Sequence, residues 1–329
     1  MYNNFVIKRD NSKAYNSSSA QLSKNEKLKL ELKEINERYV SLISIQDKLR
    51  TQALSQVAKI NELKAFNKAA IIKMELMQWR HFSLSNELFG PPNVSNSPPK
   101  EIPENLMSDY TMNGKIPIEY NYLDATYPNN WPLIYTDYEI DLYLDKIARK
   151  EYFIYGMTDV WMWQAIEQFP IKGLSVVNMG SLTPWYESNC IFHGAKSTTI
   201  DYNKIITLSS RISTMTIADY DILRPTFDIA WSISSFEHDG LGMYGDPLDP
   251  EGDLKAMQKM KSIVKPGGLL FLSVPVGKDK ILFNNARIYG NIRIPLLTKN
   301  WELITTIGLE PVHLEGPGHI QPIFILKNI

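Results

Sequence analysis

The clearest indication of the fold is the stretch Val264-Lys-Pro-Gly-Gly-Leu-Leu-Phe-Leu-Ser-Val274. Residues 252–264 have the spacing of a helix, and Pro266 ends that helix because proline has no backbone N–H to continue it. The two glycines after it allow a tight turn, and the apolar run over 268–274 predicts a buried strand. A helix that returns through a short turn into a buried strand is the repeating unit of α/β proteins.

The same alternation of strand and helix patterns extends upstream and downstream of this stretch. Near-continuous apolar strands that alternate with helices indicate a parallel sheet covered by helices on both faces. We therefore predict an α/β fold of three layers that is doubly wound, with a mostly parallel sheet and an antiparallel last pair of strands. The predicted strands lie at 174–178, 197–201, 214–217, 227–233 and 268–274, a helix lies at 185–194, and the last pair is expected at 310–314 and 320–326.

The amino-terminal quarter of the chain has the pattern of one long helix. Residues 1–89 contain neither glycine nor proline, and after a polar, disordered tail over 1–20 the apolar residues recur at alternating spacings of four and three. Because residues at these spacings share one helical face, we predict a helix from 22 to 85 within the helical region 21–89. It is either a coiled coil, which forms a homodimer or binds a helical partner, or an amphipathic helix on the protein's own core.

The next segment, 90–135, holds eight of the nineteen prolines. That density predicts a linker followed by an extended segment over the domain surface, without regular helix. Helical spacing returns over 136–169, immediately before the first strand of the sheet. We therefore place the globular domain at 136–329.

Composition restricts the function classes. The net charge of −1 gives no electrostatic reason to expect nucleic acid or an anionic membrane as a partner. The single cysteine, Cys190, rules out an intrachain disulfide and fits a reducing compartment. The sequence has no apolar run of about 18 residues, the length that a membrane-spanning helix needs. We therefore expect a cytoplasmic protein that binds neither nucleic acid nor membrane.

Several motifs carry a resemblance to a known class of proteins. The run VKPGGLLF at 264–271 resembles the turn into the fifth strand of class I S-adenosylmethionine-dependent methyltransferases, and FDIAWSISSFEH at 227–238 resembles their fourth strand. More specifically, 170–305 resembles the family called domain of unknown function 268, itself methyltransferase-like. The matching motifs are TPWYES at 183–188, TIDYNK at 199–204, SSFEHDGLGMYGDPLDPEGDLKAM at 234–257, VPVGKDKILFN at 274–284 and RIYGNIRIPLL at 287–297.

The resemblance implies a Rossmann-like methyltransferase fold and assigns residues to S-adenosylmethionine. The glycine turn after the first strand is represented by Asn178, Gly180 and Ser181, although it retains one glycine and has Asn178 where an acid is usual. Asp201 ends the second strand, where such enzymes bind the ribose hydroxyls; the alternative role is a helix N-cap. The cofactor-binding residues that the resemblance implies are Asn178, Gly180, Ser181, Asp201, Tyr202 for stacking on the adenine, and Asp219 for its amino group.

The residues after the fourth strand are the candidates for catalysis. Glu237, His238 and Asp239 are expected beside the methyl group of the cofactor, and histidine is the side chain that most often serves as a general base. The alternative is that His238 only braces the loop by hydrogen bonding. We expect no metal, although a site of His238, Asp239 and Asp246 remains a minor alternative. The glycines of the loop over 240–245 are suited to a lid.

The sequence thus predicts a methyltransferase that uses S-adenosylmethionine and acts on a small molecule or a sugar-like acceptor. Two features favour an alternative, a catalytically inactive binding module that is dimerised or docked through its amino-terminal helix. One is the degenerate glycine turn. The other is the presence of Met243 and Ala286 where the resembled family usually has arginine and histidine.

Overall fold

The computed structural model describes residues 98–124, 133–316 and 318–329, together with single positions and short runs between 26 and 56. The chain divides into two units, Met1–Arg80 and His81–Ile329. In the first unit, every described position is helical and exposed. The predicted tail at 1–20 and most of the helix predicted at 22–85 lie outside the described residues, so the single long helix stays a prediction.

The second unit contains alternating helices and strands. Its helices are α1 (Glu104–Tyr110), α2 (Asp137–Ala148), α3 (Met157–Gln168), α4 (Trp185–Phe192), α5 (Ile217–Leu223), α6 (Gly252–Ile263) and α7 (Ile294–Leu297). Its strands are β1 (Ile118–Tyr120), β2 (Leu133–Tyr135), β3 (Ser175–Met179), β4 (Lys196–Asp201), β5 (Ile205–Thr207), β6 (Ile212–Thr216), β7 (Phe227–Ile233), β8 (Val264–Ser273), β9 (Lys280–Phe283), β10 (Ala286–Ile288), β11 (Trp301–Ile307) and β12 (Ile323–Asn328). No helix among the described residues is long and apolar enough to span a membrane.

Seven strands form the central sheet in the order β11-β12-β8-β7-β3-β4-β6. The five strands from β8 to β6 in this order are parallel, whereas β12 is antiparallel to both of its neighbours. The prediction of a mostly parallel α/β sheet is therefore confirmed. The location of the final pair was wrong in part: its first strand is β11, and residues 311–314 form a 3-10 turn instead.

Two hydrophobic cores lie on opposite faces of this sheet, as the apolar strands require. Side chains of neighbouring residues in a strand point to opposite faces. Val177 belongs to the core that contains Met257 and Met260 of α6, whereas Val176 belongs to the core that contains Met162 of α3 and Trp185 of α4. The fold is therefore three-layered and doubly wound.

The residues predicted as a glycine turn lie inside β8, which begins at Val264, and they contact the adjacent strands at the amino-terminal edge of the sheet. Lys265 donates from Nζ to Oδ1 of Asp228 at 2.6 Å, and Ser175 donates from its backbone N–H and Oγ to Oδ2 of the same carboxylate at 2.9 and 2.6 Å. A Cβ on Gly268 would lie 2.6 Å from the carbonyl oxygen of Asp228, so glycine is required there by close packing. One carboxylate thus connects the starts of β3, β7 and β8.

The segment 90–135 was predicted as a linker without regular helix. Where the structure describes this segment, it contains regular secondary structure. Residues 98–124 contain helix α1, and β1 pairs in parallel with β9. Pro103 directly precedes α1, where its missing N–H costs no helical hydrogen bond. Buried Tyr110 and Ile116 pack with Leu241 and Phe283 in a third core, so this segment is part of the globular unit. Residues 90–97 and 125–132 lie outside the described residues.

Candidate active site

The turn after β3 and the end of β4 meet at the carboxyl edge of the central sheet. Gly180 has φ of +70°, a conformation that favours glycine. Its neighbour Ser181 donates its backbone N–H to Oδ2 of Asp201 at 3.2 Å. A Cβ on Gly180 would lie 2.8 Å from Oγ of Ser235 and 4.0 Å from Oδ2 of Asp201. The structure therefore brings together Gly180, Ser181 and Asp201, three residues that the sequence assigned to the cofactor.

Asp201 keeps hydrogen-bonding capacity in this position. Its Oδ1 accepts the backbone N–H of Asn203 at 2.7 Å, and its Oδ2 accepts the N–H of Ser181. Each carboxylate oxygen can accept about two hydrogen bonds, so one lone pair on each oxygen remains for a ligand. Burial raises the pKa of Asp201, and the two backbone hydrogen bonds oppose that shift. Tyr202 beside it is 70% exposed, so its ring surface is accessible.

Asn178 lies beneath the turn, on the face of the sheet that α4 covers. It is buried, and its Nδ2 donates to Oγ of Ser197 at 3.1 Å. Within the described residues its Oδ1 has no hydrogen-bond partner. A role in holding the ammonium group of the cofactor stays a prediction for this residue.

A residue that the sequence did not single out, Glu187, lies in the same layer. It is on the first turn of α4 and is fully buried. Thr199 donates from Oγ1 to its Oε1 at 2.6 Å, while its Oε2 has no partner among the described residues. Burial raises its pKa to about 7, and the bond from Thr199 opposes the shift. The signal that could have revealed it is an acid in the helix that follows a glycine turn lacking its usual acid.

Asp219 has a structural role that the sequence prediction did not include. It is the third residue of α5, and its Oδ2 accepts from the backbone N–H and Oγ1 of Thr216 at 2.9 and 2.7 Å. Thr216 in turn accepts the backbone N–H of Asp219, which completes a capping box. These bonds from Thr216 lower the pKa of Asp219. The structure does not bring Asp219 into hydrogen bonding with the turn at Gly180, and its contact with adenine stays a prediction.

Glu237 lies in the short 3-10 turn over 236–238 that follows β7, and it is 1% exposed. Its Oε1 accepts from Oγ of Ser234 at 2.7 Å and from Nε2 of Gln321 at 3.4 Å. Its Oε2 is buried and has no hydrogen-bond partner in the described part of the chain. Burial raises the pKa of Glu237, and the adjacent His238 opposes the shift. The site therefore contains a buried carboxyl with one oxygen that has no hydrogen-bond partner among the described residues.

The imidazole of His238 is held in one orientation. Its Nδ1 lies 2.6 Å from the carbonyl oxygen of Asn285, and its Nε2 lies 3.8 Å from Oε1 of Glu237. A carbonyl oxygen can only accept, so we assign the hydrogen to Nδ1, and neutral His238 then has its lone pair on Nε2. The edge of the ring meets Tyr244, with centroids 5.4 Å apart. This geometry suits a general base and also braces the loop, so both alternatives for His238 have a structural basis.

Asp239 and Asp246 differ in their roles. Asp246 accepts backbone N–H groups from Gly240, Gly242 and Tyr244 at 2.7 to 3.3 Å, and thereby shapes the loop. Burial, followed by the charge of Asp246, raises the pKa of Asp239 well above its ordinary value. Among the described residues, no group of three or more metal-ligating side chains has the geometry for a metal ion.

A buried network of charged side chains holds the loop between β7 and α6. Arg287 is fully buried and donates to the backbone oxygens of Asp239 and Asp249 at 2.6 and 3.1 Å. Asp253, in the first turn of α6, is also buried and accepts a hydrogen bond from Nε of Arg293 at 2.9 Å. Tyr289 donates to the same carboxylate at 3.0 Å. The RIYGNIR motif therefore fixes the loop and the start of α6 and does not line the cleft.

A cavity of about 490 Å³ lies at the opposite end of the sheet and is separate from these residues. It is lined by the amino-terminal edge of the sheet, including Leu174, Asp228 and the turn at Lys265. Ligands of open α/β sheets bind at the carboxyl ends of the strands. The candidate active site is therefore the edge around Asp201 and Glu237.

Comparisons with known proteins agree with the resemblance that the motifs carry. Residues 173–313 match the family model described as Caenorhabditis protein of unknown function, DUF268, which confirms the predicted resemblance over that region. Comparison with curated proteins gives no match.

Solved structures with a similar arrangement are mostly methyltransferases. A 1,6-didemethyltoxoflavin-N1-methyltransferase from Burkholderia thailandensis, with S-adenosylhomocysteine bound, has a TM-score of 0.40 and 12% identity, and the match covers 58% of this chain and 88% of that one. A putative sarcosine dimethylglycine methyltransferase from Galdieria sulphuraria has a TM-score of 0.36 and 13% identity, covering 58% and 98%. A methyltransferase from Methanosarcina mazei has a TM-score of 0.36 and 14% identity, covering 50% and 97%.

Proposed function

We propose that the domain binds S-adenosylmethionine at the carboxyl edge of its sheet and transfers the methyl group to a small molecule or a sugar-like acceptor. The observation that carries the proposal is the junction of Gly180, Ser181 and Asp201. A glycine with positive φ leaves bare backbone beside a carboxylate whose two oxygens each retain one lone pair. That combination suits a ligand with two adjacent hydroxyl groups, such as a ribose, at the edge where α/β sheets bind nucleosides.

The residues present fit this cofactor in two further respects. A Cβ at position 180 would lie 2.8 Å from Oγ of Ser235, so glycine leaves its backbone bare where the ends of β3 and β7 approach each other. The unpartnered Oε2 of Glu187 lies in the layer beneath the turn, where a carboxyl compensates for the amide at Asn178. The bound cofactor would supply an electrophilic methyl group on a sulfonium. The lone pair on Nε2 of His238 would take the proton of the acceptor.

Cofactor binding is tested by calorimetry with S-adenosylhomocysteine at about 100 μM protein, which detects dissociation constants tighter than roughly millimolar. We expect binding by the unaltered chain and none by Asp201→Ala, because the ribose hydroxyls lose both carboxylate oxygens. Asp221→Ala is the matched control, since Asp221 is an acid on α5 whose carboxylate pairs with Lys259 at 2.8 Å. Unchanged affinity in Asp201→Ala would contradict the ribose assignment.

The second candidate function is a catalytically inactive module with a methyltransferase fold. The observation that favours it is Asn178, an amide at the usual position of an acid, which is buried and bonded to Ser197 below the turn. This candidate predicts that neither S-adenosylmethionine nor S-adenosylhomocysteine gives heat in the same calorimetry. Binding of either one, followed by methyl transfer to any acceptor, excludes it.

A further inference from the structure

The acceptor side of the candidate site is acidic. Glu237, Asp239 and Asp246 lie in the loop between β7 and α6, and Asp201 lies at the end of β4. Their charges act on one another and on the tyrosines around them: after burial, Glu237, Asp201 and Asp246 all raise the pKa of Tyr244. Arg287 borders this group, but its two terminal nitrogens donate to backbone oxygens and not to these carboxylates.

One oxygen of this acidic group is buried without a hydrogen-bond partner, and it indicates where a ligand would bind. Oε1 of Glu237 is occupied by Ser234 and Gln321, whereas Oε2 is buried without a hydrogen bond in the described residues. Leaving a buried carboxyl oxygen unsatisfied is costly, so a ligand that donates a hydrogen bond to it is stabilised. A cationic donor is favoured most, because a charge-assisted hydrogen bond is about twice as strong as a neutral one.

Aromatic rings border the same carboxyl. Tyr244 meets the edge of His238, and Tyr155 stacks on Tyr186 with centroids 6.1 Å apart. Tyr155 lies close to Glu237 and Ser234: after burial, Glu237 raises the pKa of Tyr155, and the hydroxyl of Ser234 opposes the shift. The negative face of an aromatic ring attracts ammonium groups. The combination of a free carboxyl oxygen and tyrosine rings is suited to an organic cation.

We propose that the acceptor is an amine, which binds as its ammonium ion at Oε2 of Glu237 beside the rings of Tyr155 and Tyr244. Asp239 is a second carboxyl of the same acidic group. The methyl transfer rests on the proposed function, whereas the recognition of the amine does not, because its residues are separate from Gly180 and Asp201.

The transfer step balances with the groups present. The ammonium ion gives one proton to the lone pair on Nε2 of His238, which leaves a neutral amine and an imidazolium. The lone pair of the amine nitrogen then forms the bond to the methyl carbon, and the electron pair of the carbon–sulfur bond stays on sulfur. The product is a methylated ammonium ion beside Glu237, and the imidazolium returns its proton to solvent.

Matched pairs of small molecules test this proposal on the full chain. Benzylamine is compared with benzyl alcohol, and glucosamine with glucose, by ligand-observed nuclear magnetic resonance and by methyl transfer from tritiated S-adenosylmethionine. Each pair is measured with and without saturating S-adenosylhomocysteine. We expect at least one amine to bind tenfold or more tightly than its alcohol, and methylation of that amine.

The decisive variant is Glu237→Gln, which keeps an oxygen to accept from Ser234 and Gln321 but removes the negative charge. We expect it to lose the preference for the amine, while Glu251→Gln, which removes an exposed acid at the end of the same stretch, keeps that preference. Asp239→Asn repeats the test in case Glu237→Gln does not fold, and a melting curve decides which variant is used.

The two proposals fail in different ways. Any one of three results overturns the amine proposal. The amine and its alcohol bind equally, neither amine binds, or the preference for the amine persists in the variant used. If S-adenosylhomocysteine still binds in that case, the cofactor assignment stands. If S-adenosylhomocysteine does not bind but the amine preference is present and depends on Glu237, the proposed methyl transfer fails and the cation site stands.

Discussion

At the scale of single residues, substitution of Gly180 tests the proposed cofactor site. We predict that Gly180→Ala lowers the affinity for S-adenosylhomocysteine at least tenfold, because the added methyl group occupies the space between Ser235 and Asp201. The positive φ also makes an L-residue unfavourable by about 1–2 kcal/mol. Calorimetry measures the affinity, and urea unfolding measures the free energy of unfolding.

Gly267→Ala separates these two effects. Gly267 has φ of +78° and no atom within 4 Å of an added Cβ, and it lies at the opposite edge of the sheet. We expect Gly267→Ala to lower the free energy of unfolding by a similar amount and to leave the affinity for S-adenosylhomocysteine unchanged. Equal affinities of the two variants for S-adenosylhomocysteine would show that the turn at Gly180 is not part of the binding site.

Substitution of His238 distinguishes a general base from a residue that only holds the loop by hydrogen bonding. We predict that His238→Ala leaves the affinity for S-adenosylhomocysteine within about twofold and lowers kcat by 10²–10⁴, the usual range for losing a general base. The matched variant is Asn285→Ala, which keeps the backbone carbonyl that His238 contacts and changes only the side chain. Full activity of His238→Ala would leave only the bracing role.

At the scale of elements, Asp228 links three strands through a carboxylate with a lowered pKa. The side chain of Lys265, followed by Ser175, lowers the pKa of Asp228 from an ordinary 3.8 to about 2. Because the folded pKa is the lower one, the carboxylate contributes stability above its ordinary pKa. This contribution is lost as the pH falls from about 4 through about 2.

We therefore predict that Asp228→Asn is less stable than the unaltered chain at pH 7 and that the difference shrinks between pH 4 and pH 2. Urea midpoints at several pH values measure it. Asp221→Asn serves as the control, because exposed ion pairs contribute little, and its difference should be small throughout. A difference for Asp228→Asn that does not change with pH would contradict the role of its charge.

The elements that the sequence predicted well are those whose signal is local. The strands β3, β4 and β7 were predicted to within one residue of their observed bounds, and β7 is a nearly continuous apolar run, as burial on both faces requires. β8 begins at Val264, four residues before its predicted start. Apart from the seven-residue β11, the strands that were missed have only three or four residues. β1 has three residues and pairs with residues more than 150 positions away, so no local periodicity marks it.

The candidate site shows the same limit. Gly180, Asp201 and His238 could be named because their chemistry and their positions after strands are visible in the sequence. Nothing in the sequence sets Asp253 apart from the other acids of the motif at 234–257, but it is buried and held by Arg293 and Tyr289. Glu187 went unnoticed for a related reason. A buried charge is recognisable only from its partners, and tertiary structure brings those partners together.

At the scale of the whole molecule, the amino-terminal unit presents apolar side chains to solvent. Leu42, Ile45 and Leu49 are helical, and they are 62%, 50% and 60% exposed in the single chain. Their spacings of three and four residues place them on one face of a helix. Pairing such a stripe with a second copy removes it from water, so we retain the prediction that the protein forms a homodimer through residues 22–85.

Sedimentation of the full chain tests this prediction. We expect a dimer at micromolar concentration, and a monomer when Leu42→Lys and Leu49→Lys are combined, because two charges per helix would be buried in the interface at a cost of several kcal/mol. Lys48→Glu is the control: it changes an exposed charge in the same helix and should leave the dimer intact. If binding of S-adenosylhomocysteine is equal in the dimer and in the monomeric variant, the helix serves assembly alone. A monomer for the unaltered chain would favour a helical partner of another kind.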